Sequence, residues 1–165
     1  KRAHIGADPI YEPQEILQLE RSLMKAKELE KVNKSGGSGF RLDAKQRRTI
    51  ELRGMEIVRN HYEELGWVVK DTSGNRPYDF ECTNKGRRIF VEVKSTTTTK
   101  QKIIVTRGEV EHNKKHKEDH VLAFVSGIKL SGDNLERAEG GDLIIFDPWD
   151  INHERLTEIA FYYEW

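Results

Sequence analysis

Pro77-Tyr78-Asp79-Phe80-Glu81-Cys82-Thr83-Asn84-Lys85-Gly86-Arg87-Arg88-Ile89-Phe90-Val91-Glu92-Val93-Lys94 is the stretch whose reading decides the fold. It follows a turn-rich break, Ser73-Gly74-Asn75-Arg76, and is itself interrupted by Asn84-Lys85-Gly86. Two runs rich in β-branched and aromatic residues on either side of such a turn predict a hairpin, with strands over residues 78–83 and 87–94. Successive side chains of a strand point to opposite faces, so Ile89, Val91 and Val93 share one face and Phe90, Glu92 and Lys94 the other. Glu92 and Lys94 therefore emerge side by side from an otherwise apolar strand. A carboxylate and an ammonium in that position suffer desolvation unless they pair or hold an ion. Asp79 stands thirteen residues before Glu92, a spacing that lets a short antiparallel hairpin bring it across.

Working outward, Ile50, Met55, Val58, Tyr62 and Leu65 recur at helical spacing, and Gly66 stands where a C-terminal cap belongs. A short strand is expected at 67–70 and another at 102–105. Thr106 with Glu109 three residues later forms a capping-box pattern that opens a helix running to about Glu118. Residues 120–125 read as a buried strand, 131–141 as a polar loop, and 143–146 and 159–163 as the last strands. Asp147-Pro148-Trp149-Asp150 reads as a turn with an aromatic anchor. Helices interleaved with strands in this order predict an α/β fold, a central mixed β-sheet flanked by helices. Ahead of it, residues 13–32 carry a narrow apolar stripe at helical spacing, and Asn33-Lys34-Ser35-Gly36-Gly37-Ser38-Gly39 has linker composition. The expected organisation is a helix and flexible linker over 1–39, tethered to a domain over 40–165.

Composition narrows the classes. The 165 residues suffice for one ordinary core, and a charged share of 34% against 36% hydrophobic predicts much solvated surface. Lysine plus arginine equals aspartate plus glutamate at 28 each, so net charge alone names no polyanionic partner. The single cysteine, Cys82, excludes an intrachain disulfide and argues against a cysteine-based zinc site, which suits a reducing cytoplasm. No apolar run reaches membrane-spanning length, and the first residues do not form a signal peptide. The missing initiator methionine suggests a piece of a larger protein.

Two carboxylates and a lysine at one end of a sheet have a definite chemical use. Mg²⁺ takes oxygen ligands, commonly one or two carboxylates, with water and substrate phosphate completing the octahedron. Asp79 and Glu92 would hold the ion, with the backbone carbonyl of Val93 as a further ligand. Lys94 would orient the attacking water or face developing negative charge as a fixed cation. The plainer reading is an ion pair on an edge strand, with Asp79 serving only the turn.

Pro77-Tyr78-Asp79 followed by Val91-Glu92-Val93-Lys94 resembles the motif pair of the PD-(D/E)xK restriction-endonuclease-like superfamily. More closely, residues 50–128 resemble the NO VEIN carboxy-terminal domain family, an Mrr-like family often placed at the end of helicases or NTPases in prokaryotic defence systems. The residues that carry this likeness are Glu51-Leu52-Arg53-Gly54-Met55-Glu56, the two motifs above extended through Ser95-Thr96, and Val105-Thr106-Arg107-Gly108-Glu109. The proline stands two residues before Asp79 rather than next to it, a departure from the motif as named.

The resemblance implies a restriction-endonuclease-like core and a Mg²⁺- or Mn²⁺-dependent endonuclease acting on DNA before RNA. It implies Asp79, Glu92 and Lys94 as the catalytic set, and Glu51, with Glu56 as its rival, as the helical glutamate that assists through the metal's water shell. It also implies a nuclease domain of a larger restriction or phage-defence protein, beside a helicase or NTPase region of the same polypeptide. A homodimer would serve double-strand cutting.

Secondary candidates surround this set. Thr96, Gln101 and Lys102 lie in the polar stretch after Lys94 and are candidate phosphate contacts. His112 and His116 stand four apart on a helix face, but no third metal ligand accompanies them. Lys114, Lys115 and Lys117 could give that helix a basic face, extended by Arg47, Arg48, Arg53, Arg87 and Arg88. Glu109 reads as a capping residue. Two other functions stay open on the residues alone: a catalytically silent nuclease-fold module that binds DNA or docks to partner subunits, and a purely structural interaction domain.

Overall fold

The computed structural model describes residues 42, 44–99 and 103–157. The expected amino-terminal helix and linker, the candidates Gln101 and Lys102, and the expected strand at 159–163 lie outside the described residues.

Helix α1 spans Ala44–Glu64 and turns one face, Ile50, Gly54, Val58 and Tyr62, into the protein. Ile50, Val58 and Tyr62 of the repeat read from the sequence are buried and Met55 packs against them, whereas Leu65, expected on the same face, is exposed; Gly66 at φ 80° takes the left-handed conformation that ends the helix. Strands β1 (Val68–Asp71), β2 (Phe80–Asn84) and β3 (Arg87–Ser95) then form an antiparallel meander. The tight turn between β2 and β3 places Lys85 and Gly86 at positive φ, as a two-residue hairpin turn requires.

A second helix, α2 (Arg107–Lys115), and a short 3₁₀ turn (Lys117–Asp119) carry the chain to β4 (His120–Ser126), which pairs parallel to β3. A parallel pair needs such a crossover because the chain must return to the start of the sheet. Strands β5 (Lys129–Ser131) and β6 (Arg137–Glu139) form a small separate ladder, and β7 (Asp142–Phe146) adds antiparallel to β4. The main sheet runs β1-β2-β3-β4-β7, a mixed sheet with helices packed on it.

Two expectations are corrected here. The strand predicted at 102–105 does not form over 103–105, where the chain is irregular as it approaches the α2 cap. The loop predicted at 131–141 contains β6 and the end of β5. Leu130 and Ala138 face each other in that ladder and pack against the core, which anchors a stretch whose composition is otherwise polar.

The sheet has two unlike faces, and this positions the site. On one face Phe80, Cys82, Ile89, Val91, Val121, Ala123 and Val125 pack with Ile50, Val58 and Tyr62 of α1. Burying such side chains contributes about 1.5–3 kcal/mol each, so this face carries the stability. Helix α1 approaches closely at Gly54: a Cβ there would collide with Ser95 Oγ and stand 2.9 Å from Ser95 Cβ. The register puts Phe90, Glu92 and Lys94 of β3 beside His120, Leu122 and Phe124 of β4 on the opposite face.

Candidate active site

Strand alternation brings the polar residues of β3 to the second face, and three further constraints gather the others around them. Asp79 precedes β2 by one residue, and its N–H donates to Val91 O at 2.9 Å, which extends the β2–β3 ladder. Its carboxylate Oδ2 accepts the Val93 N–H at 2.9 Å. Asp79 is thereby fixed beside Glu92, with Thr72 holding the turn through its N–H to Asp79 O (2.8 Å) and its hydroxyl to Tyr78 O (3.1 Å).

Glu92 is only 4% exposed. Lys94 Nζ donates to Glu92 Oε1 at 2.7 Å, while Glu92 Oε2 is buried and has no hydrogen-bond partner. Burial, with the carboxylates of Asp79 and Glu109 nearby, pushes the Glu92 carboxyl well above the usual carboxylate range, against the pull of Lys94. Lys94 is also bonded to Glu109 Oε2, at 3.0 Å. Burial alone would push its ammonium down, but Glu109 and then Glu92 overcome this and hold it above the usual lysine range. One ammonium thus stands among three carboxylates.

Asp79, Glu92 and Lys94, singled out from the sequence, are brought together on one face. The cluster offers the kind of donors a divalent cation takes: a buried Glu92 oxygen with no hydrogen-bond partner and the Asp79 carboxylate beside it. Among the described residues no three His, Cys, Asp or Glu side chains converge into a closed metal cage. An ion here would take Asp79, Glu92 and a backbone carbonyl such as that of Val93, with the remaining oxygens from outside the chain.

Glu51 is not brought to this centre. It lies on α1, which packs on the other face of the sheet, and its exposed carboxylate accepts from Arg48 at 2.7 Å. Its rival Glu56 accepts from Arg53 at 2.7 Å. The physical reason is local: each glutamate has an arginine one helical turn before it, and both pairs face solvent.

Thr96 is two residues beyond Lys94 and is pinned at the end of β4, its N–H donating to Val125 O and its carbonyl accepting from Ile128 N–H. Its hydroxyl oxygen accepts the Thr98 N–H at 3.2 Å. The five arginines considered as a basic patch have partners within the chain. Arg47 donates to Leu42 O, Arg48 and Arg53 to the glutamates just named, and Arg87 to Asp147, while Arg88 stands 4.0 Å from Glu81 and over the Phe90 ring.

His112 and His116 stack with ring centroids 4.5 Å apart, and Phe90 meets both rings edge-on. His112 Nδ1 is buried without a partner and burial pushes its ring down to about 3, so His112 is packed here as a neutral aromatic ring. Two residues escaped the sequence reading. His120 is fully buried beneath this stack, with Asn113 Nδ2 set between His120 Nδ1 (3.0 Å) and Trp149 O (2.6 Å). Glu109 both caps α2 and reaches Lys94. The capping pattern was legible, but the lysine contact depends on where α2 lands.

The family model described as Protein NO VEIN, C-terminal, matches residues 50–139, more than half of the chain, and its span includes Asp79, Glu92, Lys94 and Glu109. No curated protein and no solved structure matches the chain.

Proposed function

The chain belongs to the NO VEIN carboxy-terminal family, and from that premise we propose that it is a metal-dependent nuclease core of the PD-(D/E)xK kind. Its reaction is hydrolysis of phosphodiester bonds in nucleic acid, with DNA as the preferred substrate. In this reading it serves a larger restriction or phage-defence protein, beside a helicase or NTPase region. The observation that carries the proposal is the Asp79–Glu92–Lys94 cluster, with the Asp79 carboxylate locked on Val93 N–H next to a buried Glu92 oxygen that has no partner.

Asp79, Glu92 and the Val93 carbonyl are the residues that would hold Mg²⁺ or Mn²⁺. When bound, such an ion supplies positive charge against the scissile phosphate and acidifies a water. The chain's own groups set the geometry. Asp79 is held by the backbone and cannot swing away. Glu92 sits on a central strand with buried neighbours above and below, so its carboxylate keeps its direction. Lys94 keeps its charge and offers N–H donors to an attacking water or to a non-bridging phosphate oxygen.

Supercoiled plasmid incubated with Mg²⁺ or Mn²⁺ tests the assignment. Wild type nicks or linearises it, and Asp79→Ala or Lys94→Ala reduces this by several orders of magnitude; full cleavage by either variant removes the assignment. A second reading is a silent nuclease-fold module for DNA binding or docking, and the arginine pairing, which leaves little free positive charge on α1 and β3, favours its docking form. Calorimetric titration with Mn²⁺ separates the two: binding abolished by Asp79→Asn belongs to the nuclease, and metal-insensitive DNA binding that survives Glu92→Gln belongs to the module.

A further inference from the structure

Glu109 is buried (4% exposed), yet it belongs to a different element from the strand that carries Glu92 and Lys94. Its Oε2 accepts from two donors, Lys94 Nζ at 3.0 Å and the Thr106 N–H at 3.2 Å. Its own N–H donates to Thr106 Oγ1 at 3.2 Å, which completes the capping box of α2. A cap alone does not require burial or a lysine. Most capping glutamates satisfy one helix N–H and otherwise face water.

The arrangement has a consequence for Lys94. If Glu92 were its sole acceptor, any cation drawn to the Glu92 carboxylate would draw its charge away from the ammonium and loosen it. A second carboxylate, fixed by the start of a helix, keeps the ammonium in place while Glu92 turns its charge elsewhere. We infer that Glu109 is a positioning residue for Lys94, coupling the first turn of α2 to the end of β3. The inference rests on the nuclease reading for its catalytic meaning, though the positioning of Lys94 is measurable without it.

Three variants separate positioning from capping. Glu109→Ala removes both acceptor roles. Glu109→Gln keeps an oxygen that can accept from Thr106 N–H and Lys94 Nζ but loses the charge. Thr106→Val removes the hydroxyl half of the box and leaves the Lys94–Glu109 contact. With plasmid substrate and Mg²⁺, Glu109→Ala is expected to lower kcat about ten- to a hundredfold with KM nearly unchanged. Glu109→Gln recovers part of that loss. Thr106→Val lowers Tm but keeps kcat within about threefold of wild type.

The second arm needs neither metal nor DNA. In protein labelled with ¹³C-lysine, the order parameter of Lys94 Cε falls in Glu109→Ala and holds in Thr106→Val. Equal Lys94 order in wild type and Glu109→Ala overturns the inference, as does a kcat loss shared equally by Thr106→Val and Glu109→Ala. Should Glu109→Ala lose its circular dichroism signal, Glu109→Gln carries both arms. Unchanged cleavage by Lys94→Ala would defeat the nuclease reading instead, and the NMR arm would still judge the contact.

Discussion

Replacing Glu92 by glutamine should make the protein more stable while ending its proposed chemistry. Glu92 is 4% exposed, shares its surroundings with the carboxylates of Asp79 and Glu109, and leaves one oxygen without a partner. Its folded-state pKa is raised, so the folded chain holds this proton more tightly than the unfolded chain does. As pH climbs through and above the ordinary carboxylate range, the unfolded state ionises freely while the folded state resists, and stability is lost. Glutamine has no proton to lose. Lys94 is not orphaned by the change, because Glu109 still accepts from it at 3.0 Å. Glu92→Gln should therefore gain about 0.5–2 kcal/mol at pH 7 without added metal, the usual range of a single stabilising substitution. For a chain of this size each kcal/mol moves Tm by about 2–4 °C.

Lys94→Ala is the opposite experiment. It leaves two buried carboxylates with no countercharge and should cost roughly 3–5 kcal/mol. Urea unfolding followed by circular dichroism between pH 5 and 8 measures both, and the advantage of Glu92→Gln over wild type should widen as pH rises. On the metal-site reading, Mg²⁺ at a hundred times its Kd adds about 2.7 kcal/mol to wild type and nothing to the variant, which inverts their order. If Glu92→Gln loses more than about 1 kcal/mol at pH 7 without metal, the pair with Lys94 stabilises the fold and the reasoning from crowded carboxylates is wrong.

Acid should destabilise the protein through its histidines. Burial pushes His120 down to about 4 and His112 to about 3, so stability present above pH 6.5 falls as the unfolded chain takes up protons the fold refuses. His116 and Lys94 act on His120 in the same sense and Glu109 against it, and His120 alone should remove about 2 kcal/mol by pH 4.5. His112→Phe, which suits a ring packed against Tyr78 and Phe90, should flatten part of this slope; a urea midpoint with the same pH dependence in wild type and variant refutes the account. Gly54→Ala should cost about 1–3 kcal/mol, since its methyl must displace Ser95 or lift α1 from β3, and a Tm within a degree of wild type would show that the helix moves freely.

Much of this was legible because it follows from period and register. The alternation along residues 89–94 puts Glu92 and Lys94 on one face, and the pairing with β4 agrees residue by residue. The Thr106–Glu109 pattern fixed the start of α2, and both of its hydrogen bonds are present. The rest depends on contacts that residue pattern alone does not reveal, some within a turn of the residue and some far along the chain. Glu51 is an ordinary exposed helix carboxylate by local pattern, and an arginine one turn before it determines its partner. Residues 131–141 look polar, but Ala138 finds Leu130 across a short ladder and both reach the core. His120 reads as the first residue of a strand. Only the landing of α2 and of Trp149 on that strand makes it fully buried.

The two faces of β3 divide the labour of the molecule. Ile89 and Val91 on the α1 side are closed over by apolar neighbours, and that face can supply the stability which crowded carboxylates on the other side reduce. The same strand therefore bears both the core and the strain, so a shift of one residue in its register would exchange them. That coupling gives a reason for the tight fastening at its carboxyl end. Gly54 lets α1 press onto Ser95, Asp79 grips Val93 N–H, and Thr96 is bonded to both Val125 and Ile128. These contacts surround Lys94 within two residues on either side, where a small displacement of its ammonium would matter most to the proposed chemistry.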